Sequence, residues 1–285
     1  MTGTYADQLD AAATTLEAAG LPSARVDAEW LLAGLLGVGR AAARLELSLT
    51  APAPFAERYA RAVSRRAQRE PLQRILGWEQ FRGVRVSLTD SVLVPRPETE
   101  ALVEWALALL PPPDGRRRLA IDIGTGSGCI AAALAAERLE LDVVATDVSI
   151  AAAAVARANV RALGLEARVR VVVADLFAGL GDVPADLIVS NPPYLPTGLL
   201  PSLSPEVRTH EPGLALDGGR DGLAVIRRIV SAARGYLRPA GALVIETAGG
   251  DQAAAAAALL RDAGWDHTAV RADLAGIDRF VAGRA

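Results

Sequence analysis

A tetrapeptide rich in proline carries the residues with the clearest capacity for chemistry. It is Asn191-Pro192-Pro193-Tyr194, directly after the apolar run 186–190. The Asn191 side-chain oxygen and a backbone carbonyl, most simply that of Pro192, can each accept one N–H of a planar NH2 group. Consecutive prolines fix φ and remove N–H donors, while Tyr194 offers a flat face to a substrate amide or a cationic cofactor. Because fixed acceptors favour a geometry that frees the nitrogen lone pair, the segment predicts group transfer to an amide-type nitrogen.

The tetrapeptide alone leaves the substrate open. Adenine N6, cytosine N4 and glutamine N5 are all conjugated NH2 groups. An isolated Asn-Pro-Pro-Tyr is also compatible with an ordinary turn, and only its place at the end of a predicted strand favours a catalytic role.

A glycine-rich turn supplies a second candidate site. It spans 122–128 (DIGTGSG) between an apolar run and a predicted helix, so that backbone N–H groups point at a ligand. Asp147 ends the next strand about 20 residues later, where a carboxylate can accept both ribose hydroxyls. Asp175 ends the third strand and is placed to receive an adenine amino group. The predicted cofactor-binding residues are Asp122, Gly124, Thr125, Gly126, Ser127, Gly128, Asp147, Asp175, Leu176 and Asn191.

The glycine spacing does not by itself select a nucleoside. Dinucleotide-binding enzymes prefer G-x-G-x-x-G, whereas this turn reads G-x-G-x-G. That spacing resembles the first motif of class I methyltransferases, whose cofactor, S-adenosylmethionine, presents a methionine moiety to the turn.

The elements that position these residues follow from periodicity. Residues 1–75 predict a small helical domain, with Ser23 capping a second helix and a third helix beginning near Pro54. The expected inner face of the second helix is Val26, Trp30, Leu31 and Leu35. Four arginines at helical spacing, Arg58, Arg61, Arg65 and Arg69, predict one face of the third helix. A solvated face is favoured there over a docking surface for an acidic protein or RNA.

Residues 76–95 predict a β-hairpin linker, with its strands in 81–94 broken at Thr89-Asp90-Ser91. Residues 96–285 predict an α/β domain of class I, Rossmann-like type. The expected strands lie near 118–123, 141–146, 169–174, 186–190 and 242–246, followed by a pair near 267–271 and 279–283. Near-continuous apolar strands predict a parallel sheet covered on both faces. The segment 195–223 reads as a substrate lid, with Glu211 as a polar substrate contact or an ion pair within the loop.

Composition narrows the classes of protein. The chain has 285 residues, 51% of them hydrophobic, and a formal net charge of −3, which argues weakly against a surface built to bind nucleic acid. There is no apolar run of roughly 20 residues and no signal-peptide pattern at the start. One cysteine and two distant histidines predict no metal site. We therefore expect a cytoplasmic protein with no membrane partner and no stable nucleic-acid partner.

With these motifs in view, the chain resembles the HemK-type protein-(glutamine-N5) methyltransferases that modify peptide chain release factors. The resemblance covers nearly the whole chain. Its signatures are 71–77 (PLQRILG), 94–100 (VPRPETE), 122–128, 191–194, 211–223 and 273–276. It implies a helical bundle, a hairpin and a seven-stranded methyltransferase domain that binds S-adenosylmethionine.

The resemblance also implies roles for residues. Asn191, Pro192 and Tyr194 become catalytic, and Asn191–Tyr194 with Phe81 line the pocket for a glutamine that follows two glycines. A place in the hairpin core is an equal alternative for Phe81. The sequence departs from the family at three places. Arg74 and Leu176 occupy positions where the family usually has an aromatic residue, and the segment 246–249 (ETAG) differs from the family's pattern. A ribosomal-protein glutamine, a DNA amino group and a cofactor-binding module without catalysis remain alternatives.

Overall fold

The computed structural model describes residues 3–181 and 184–285, which form two compact units. The first unit runs to Trp78 and also includes Ser204–His210. The second consists of Glu79–Leu203 and Glu211–Ala285. The hairpin belongs to the second compact unit except for its first residue, Trp78. The division of the chain into three domains at residues 75 and 95 stays a prediction.

The first unit is helical, as the sequence predicts. Its helices are α1 (Tyr5–Ala18), α2 (Ala24–Leu36), α3 (Arg40–Leu45), α4 (Ala53–Ala67) and α5 (Leu72–Leu76). Thr4 caps α1 through a capping box with Asp7. The apolar faces of α1, α2 and α4 form one buried core that includes Leu9, Leu31 and Tyr59.

Two details of the predicted helices are wrong. Trp30 and Val26 face outward on α2, because small residues such as Ala24 and Ala28 let the opposite face pack closely, and the Arg40 guanidinium covers the Trp30 ring. Ser23 does lie at the N-cap of α2, but the expected cap is wrong in its bonding, because the Ser23 hydroxyl donates to the Asp27 carboxylate and makes no capping hydrogen bond.

The four arginines also do not form one helical face. α4 ends at Ala67, and Arg69 has a φ of 69°, which takes it out of the helical register. Arg69 pairs with Glu206, Arg65 with Glu70 and Arg61 with Glu57.

The hairpin turns earlier than the sequence predicts. Its strands are β1 (Trp78–Phe81) and β2 (Val84–Ser87), and Thr89-Asp90-Ser91 follows the second strand. The two turn residues, Arg82 and Gly83, have φ values of 42° and 80°. Positive φ at both central positions matches a two-residue type I′ turn, whose twist suits adjacent antiparallel strands.

A seven-stranded sheet forms the centre of the second unit. Its strands are β3 (Arg118–Ile123), β4 (Leu141–Asp147), β5 (Val169–Val173), β6 (Ala185–Ser190), β7 (Leu237–Glu246), β8 (Asp266–Ala272) and β9 (Asp278–Arg284). Their order is β5-β4-β3-β6-β7-β9-β8. This confirms the class I, seven-stranded fold but corrects the wholly parallel sheet, because β9 runs antiparallel to both β7 and β8.

Helices cover both faces of this sheet. They are α6 (Pro97–Leu109), α7 (Cys129–Glu137), α8 (Ile150–Ala162), α10 (Ala224–Ala233) and α11 (Asp251–Asp262). One core includes the apolar faces of α6 and α7 with the hairpin, and the other includes those of α10 and α11. The short helix α9 (Pro205–His210) belongs to the first unit.

The sheet order defines a crevice. β3 pairs with β4 on one side and with β6 on the other. Ligands of open parallel sheets bind beyond the carboxyl ends of the strands at such a reversal of strand order.

Over residues 3–181 and 184–285, no helix combines the length and apolarity that crossing a membrane requires.

Candidate active site

The glycine turn joins the end of β3 to the start of α7. The N–H groups of Gly124 and Thr125 both donate to the Thr146 carbonyl, at 2.9 and 2.8 Å. Gly124 and Gly126 have φ values of 74° and 54°, a region that side chains other than glycine rarely adopt. A Cβ on either would meet nothing within 4 Å, so the two glycines leave an open cradle.

Asp122 and Gly128 support this turn from behind. Asp122 is fully buried and accepts the Thr125 hydroxyl at 2.6 Å, and burial raises the pKa of Asp122 to about 7. A Cβ on Gly128 would lie 3.2 Å from Cβ of Ala156, which shows how closely the turn packs on α8. The structure therefore places both residues behind the cavity wall, and their predicted direct contact with a cofactor becomes a supporting role.

A cavity of about 490 Å³ opens beside the turn. Asp147, Asp175 and Leu176 line it together with Gly124, Thr125, Gly126 and Ser127. Asp147 accepts the N–H groups of Gly126 and Ser149, each at 2.9 Å, on different oxygens. A carboxylate has about four lone-pair sites, so Asp147 retains acceptors for two hydroxyls.

Asp175 and Leu176 also line the cavity. The Arg228 guanidinium donates to the Asp175 carboxylate at 2.7 Å. Leu176 is partly buried and has a φ of 54°.

The tetrapeptide lies beside the glycine turn, because it follows β6, which pairs with β3 up to Ser190 and Ile123. Ser190 donates to the Ile123 carbonyl at 2.8 Å and ties the end of β6 to the end of β3. Asn191, Pro192 and Pro193 line the same cavity as the glycine turn. The Asn191 amide nitrogen donates to the Thr99 hydroxyl at 3.1 Å.

Tyr194 packs into the molecule beside this wall. It is partly buried against the core formed with α10 and α11, and burial raises the pKa of its hydroxyl. That hydroxyl donates to Glu246 at 3.5 Å. The backbone carbonyl of Tyr194 accepts from the Gln252 side chain at 2.8 Å. Of the four residues, Tyr194 is the one whose predicted contact with substrate the geometry supports least.

Two further predicted roles are corrected. Phe81 is 1% exposed and packs in the same core cluster as Val84 and Val86 of β2. It is therefore a core residue of the hairpin and is not among the described residues that line the cavity beside the glycine turn. Glu211 accepts from the Val94 N–H and the Arg96 guanidinium, each at 3.3 Å, so the ion pair that the structure shows joins Glu211 to a residue outside the segment 195–223.

Sequence reasoning missed Thr99 and Glu246. Both are at least 98% buried, and each accepts a hydrogen bond from the tetrapeptide, Thr99 from Asn191 and Glu246 from Tyr194. Thr99 lies in the family signature 94–100, and Glu246 lies in 246–249, where the sequence departs from the family. Neither segment by itself indicates a hydrogen bond to residue 191 or 194.

Two family models and several relatives match the sequence of this chain. The model of the PrmC N-terminal domain matches residues 7–77, and that of the methyltransferase small domain matches residues 103–198. The release factor glutamine methyltransferase of Geobacter sulfurreducens is 43% identical over 93% of this chain and 91% of its own length. That of Moorella thermoacetica is 44% identical over 99% of both chains. The chain belongs to the release factor glutamine methyltransferase family.

Solved structures support the fold of this family member. A methyltransferase from Pyrococcus furiosus superimposes with a TM-score of 0.53 at 18% identity, over 71% of this chain and 89% of that one. The N-terminal domain of human METTL16, solved in complex with SAH, gives a TM-score of 0.53 at 19% identity, over 81% of this chain and 82% of that one. The release factor glutamine methyltransferase family therefore shares its sheet with distant methyltransferases.

Proposed function

We propose that this chain transfers a methyl group from S-adenosylmethionine to the side-chain nitrogen N5 of a glutamine in a peptide chain release factor. One observation carries the proposal. Asn191 and Pro192, which offer acceptors for an NH2 group, line the same cavity as the glycine turn and Asp147.

The residues around the turn fit S-adenosylmethionine. The open cradle at Gly124 and Gly126 can receive the methionine moiety, and Asp147 can accept the ribose hydroxyls. Asp175, which lines the cavity and pairs with Arg228, is the residue we assign to receive the adenine amino group. When bound, S-adenosylmethionine supplies an electrophilic methyl carbon attached to a sulfonium.

The tetrapeptide prepares the substrate nitrogen. Asn191 Oδ1 and the Pro192 carbonyl each accept one N–H of the glutamine amide, which orients its nitrogen toward the cradle. Such acceptors are worth most as positive charge develops on the nitrogen. The new N–C bond replaces the S–C bond, and the methylated nitrogen then sheds one proton to solvent, so no strong base is required.

A release factor is favoured as substrate because of the relatives' names and their full-length similarity. The motif expected from the family resemblance is Gly-Gly-Gln, where two glycines let the backbone enter a narrow site without side chains. Action on a release factor implies a cytoplasmic enzyme.

Mass spectrometry of a release factor after incubation with labelled S-adenosylmethionine tests the substrate. We expect one labelled methyl group, on the glutamine of the Gly-Gly-Gln motif. A release factor with that glutamine replaced by asparagine serves as the control and should stay unlabelled. Label on ribosomal protein or duplex DNA, with none on the release factor, would overturn the assignment.

Asn191→Ala tests the site. We expect turnover to fall by roughly 10²–10³-fold, because one acceptor in the transition state is lost. The dissociation constant of S-adenosylmethionine, measured by calorimetry, should stay within a few-fold of wild type. Unchanged turnover in Asn191→Ala would show that the tetrapeptide does not take part in catalysis.

A further inference from the structure

One face of α10 forms part of the cavity wall. Val225, Arg228 and Ile229 line the cavity together with Asp175 and Leu176. The three helix residues lie at positions i, i+3 and i+4, so they share one face of the helix. Ile229 is fully buried in the core that α10 shares with α11, whereas the Arg228 side chain is 55% exposed. The helix therefore carries a guanidinium group to the part of the cavity where Asp175 lies.

The backbone around Asp175 is fixed on both sides. Before it, the Ala174 N–H donates to the Asp147 carbonyl at 2.9 Å, which ties Asp175 to the residue assigned to the ribose hydroxyls. After it, Phe177 is 3% exposed and stacks on Tyr236, with the ring centroids 4.6 Å apart. The position of the Asp175 backbone is thus set, and the rotation of its side chain is what remains to be fixed.

The Arg228 guanidinium fixes that rotation. It donates to Asp175 Oδ2 at 2.7 Å, and each carboxylate oxygen has its own lone pairs. The ion pair therefore engages Oδ2 and leaves the lone pairs of Oδ1 for a ligand. A guanidinium can only donate hydrogen bonds, so Arg228 can hold an oxygen atom at this position but not an NH2 group.

We propose that Arg228 is a positioning residue that makes the site selective for adenine, because it holds Asp175 with Oδ1 toward the amino group of the base. This inference rests on the proposed function, since it takes the cavity as the site of S-adenosylmethionine. The adenine amino group donates hydrogen bonds and pairs with a carboxylate oxygen. A purine with a carbonyl oxygen in place of that amino group would set two acceptors against each other. The ligand class that the arrangement selects is therefore a 6-aminopurine nucleoside.

Calorimetric titration with two ligands tests the proposal without methyl transfer. S-adenosylhomocysteine carries the adenine amino group, and S-inosylhomocysteine has a carbonyl oxygen in its place. We expect the wild-type enzyme to bind the adenosine compound roughly tenfold more tightly or better, because a hydrogen bond to a charged group is lost with the inosine compound. Arg228→Ala should lower this ratio roughly threefold or more, since the carboxylate is then free to rotate. Arg228→Lys, which keeps a donor, should retain part of the preference.

Asp175→Asn gives a sharper test of the orientation. Arg228 can hold only the oxygen of the new amide, so the NH2 group of that amide should take the place of Oδ1. A donor there pairs with the inosine carbonyl and not with the adenine amino group. We therefore expect Asp175→Asn to reverse the preference of the enzyme. In the double variant with Arg228→Ala the amide can turn either way, and the reversal should be lost.

Arg227→Ala is the matched control. Arg227 precedes Arg228 on α10 and pairs with Asp221, and the two ion pairs are exposed to a similar extent, 47% and 50% against 55% and 53%. Arg227 is not among the described residues that line the cavity, so Arg227→Ala should keep the wild-type ratio of the two dissociation constants. Thermal unfolding of the ligand-free enzyme should change little in Arg227→Ala and Arg228→Ala alike, because exposed ion pairs contribute little to stability.

The outcomes distinguish this inference from the proposed function. A wild-type ratio in Arg228→Ala, whether both compounds bind normally or both are weakened equally, would overturn the role of Arg228 alone. The same holds if Asp175→Asn still prefers the adenosine compound. A wild-type enzyme that binds neither compound would overturn both proposals. Failure to methylate a release factor, beside the expected ratios, would overturn the proposed substrate and leave the role of Arg228 standing.

Discussion

At the scale of single residues, the site contains two buried carboxyl groups at the ends of strands on either side of β6. Asp122 lies near the glycine turn, and Glu246 lies near the tetrapeptide. Asp122 Oδ1 and Glu246 Oε2 both lack hydrogen-bond partners among the residues described. Burying a charge without full compensation costs stability, so each of these carboxyl groups destabilises the folded protein when it is ionised.

Asp122→Asn should stabilise the enzyme above neutral pH. The pKa of Asp122 is about 7 in the folded protein, against an ordinary value of 3.8. The folded state therefore binds a proton that the unfolded state releases, and wild-type stability falls as pH rises between these values. Asparagine removes that penalty, and we expect a gain of roughly 1 to 4 kcal/mol at pH 8, at about 1.4 kcal/mol per pKa unit.

Thermal unfolding of the ligand-free enzyme from pH 4 to pH 8 measures this gain. It should shrink steadily as pH falls below 7 and vanish near pH 4. Glu104→Gln provides a contrast, because the ion pair with Arg271 lowers the pKa of Glu104 and no stabilisation at pH 8 is expected. A gain for Asp122→Asn that is independent of pH would contradict the argument.

At the scale of elements, the segment after the tetrapeptide is held against it by its own backbone. Leu195 donates to the Leu216 carbonyl at 3.0 Å, and Gly218 donates to the Leu195 carbonyl at 2.8 Å. A Cβ on Gly218 would lie 2.8 Å from the Pro193 carbonyl oxygen and 2.8 Å from Cα of Tyr194. The glycine is therefore required by close backbone approach, and the segment fixes where the tetrapeptide lies.

Gly218→Ala should shift the tetrapeptide and lower turnover. Inserting a methyl group against backbone costs about 1–3 kcal/mol, and displacement of the acceptors should reduce kcat by roughly tenfold or more. Gly198→Ala is a matched control on the same segment, since a Cβ there meets nothing within 4 Å. Kinetics and thermal unfolding of both variants test this. Equal kcat for the two alanine variants would mean that the segment does not position the tetrapeptide.

Local sequence patterns predicted the elements better than their junctions. The strands from β3 to β6 were located within a residue or two, because buried parallel strands are continuous apolar runs. The hairpin turn was misplaced because a positive φ at Arg82 has no compositional signal, whereas Thr89-Asp90-Ser91 has the composition of a turn. The reversed direction of β9 depends on pairing with β7, which no local pattern specifies.

The site was predicted in the same uneven way. The motifs placed Asn191, Asp147 and the glycine turn at one sheet edge, because strand ends meet there. They could not separate residues that line the cavity from those behind it, such as Asp122 and Phe81. Nor could they join Thr99 to Asn191 or Glu246 to Tyr194, which come from distant parts of the chain and meet only when α6, β6 and β7 are packed.

At the scale of the whole molecule, the chain passes between the two compact units more than once. The segment Ser204–His210 interrupts the second unit and belongs to the first. Within the first unit, Glu206 pairs with Arg66 and Arg69, and Arg66 also pairs with Asp27 at 2.7 Å. Arg66 is therefore the cation that joins α2 and α4 to this inserted segment.

Arg66→Ala should destabilise the first unit and leave cofactor binding in the second unit largely intact. The side chains of Arg66 and Asp27 are each only 10% exposed, and removing one partner of a buried ion pair typically costs about 3–5 kcal/mol. Thermal unfolding and limited proteolysis should report the loss, with cleavage concentrated before Trp78 and in 204–210. Arg61→Ala is the control, since Arg61 is exposed and its nearest carboxylate oxygen, on Glu57, lies 3.9 Å away; the effect of Arg61→Ala on stability should be small.

Calorimetric titration with S-adenosylmethionine at a temperature where both variants are folded should give dissociation constants close to wild type. A cofactor affinity that falls in step with the stability of Arg66→Ala would show instead that the glycine turn depends on the helical unit for its geometry.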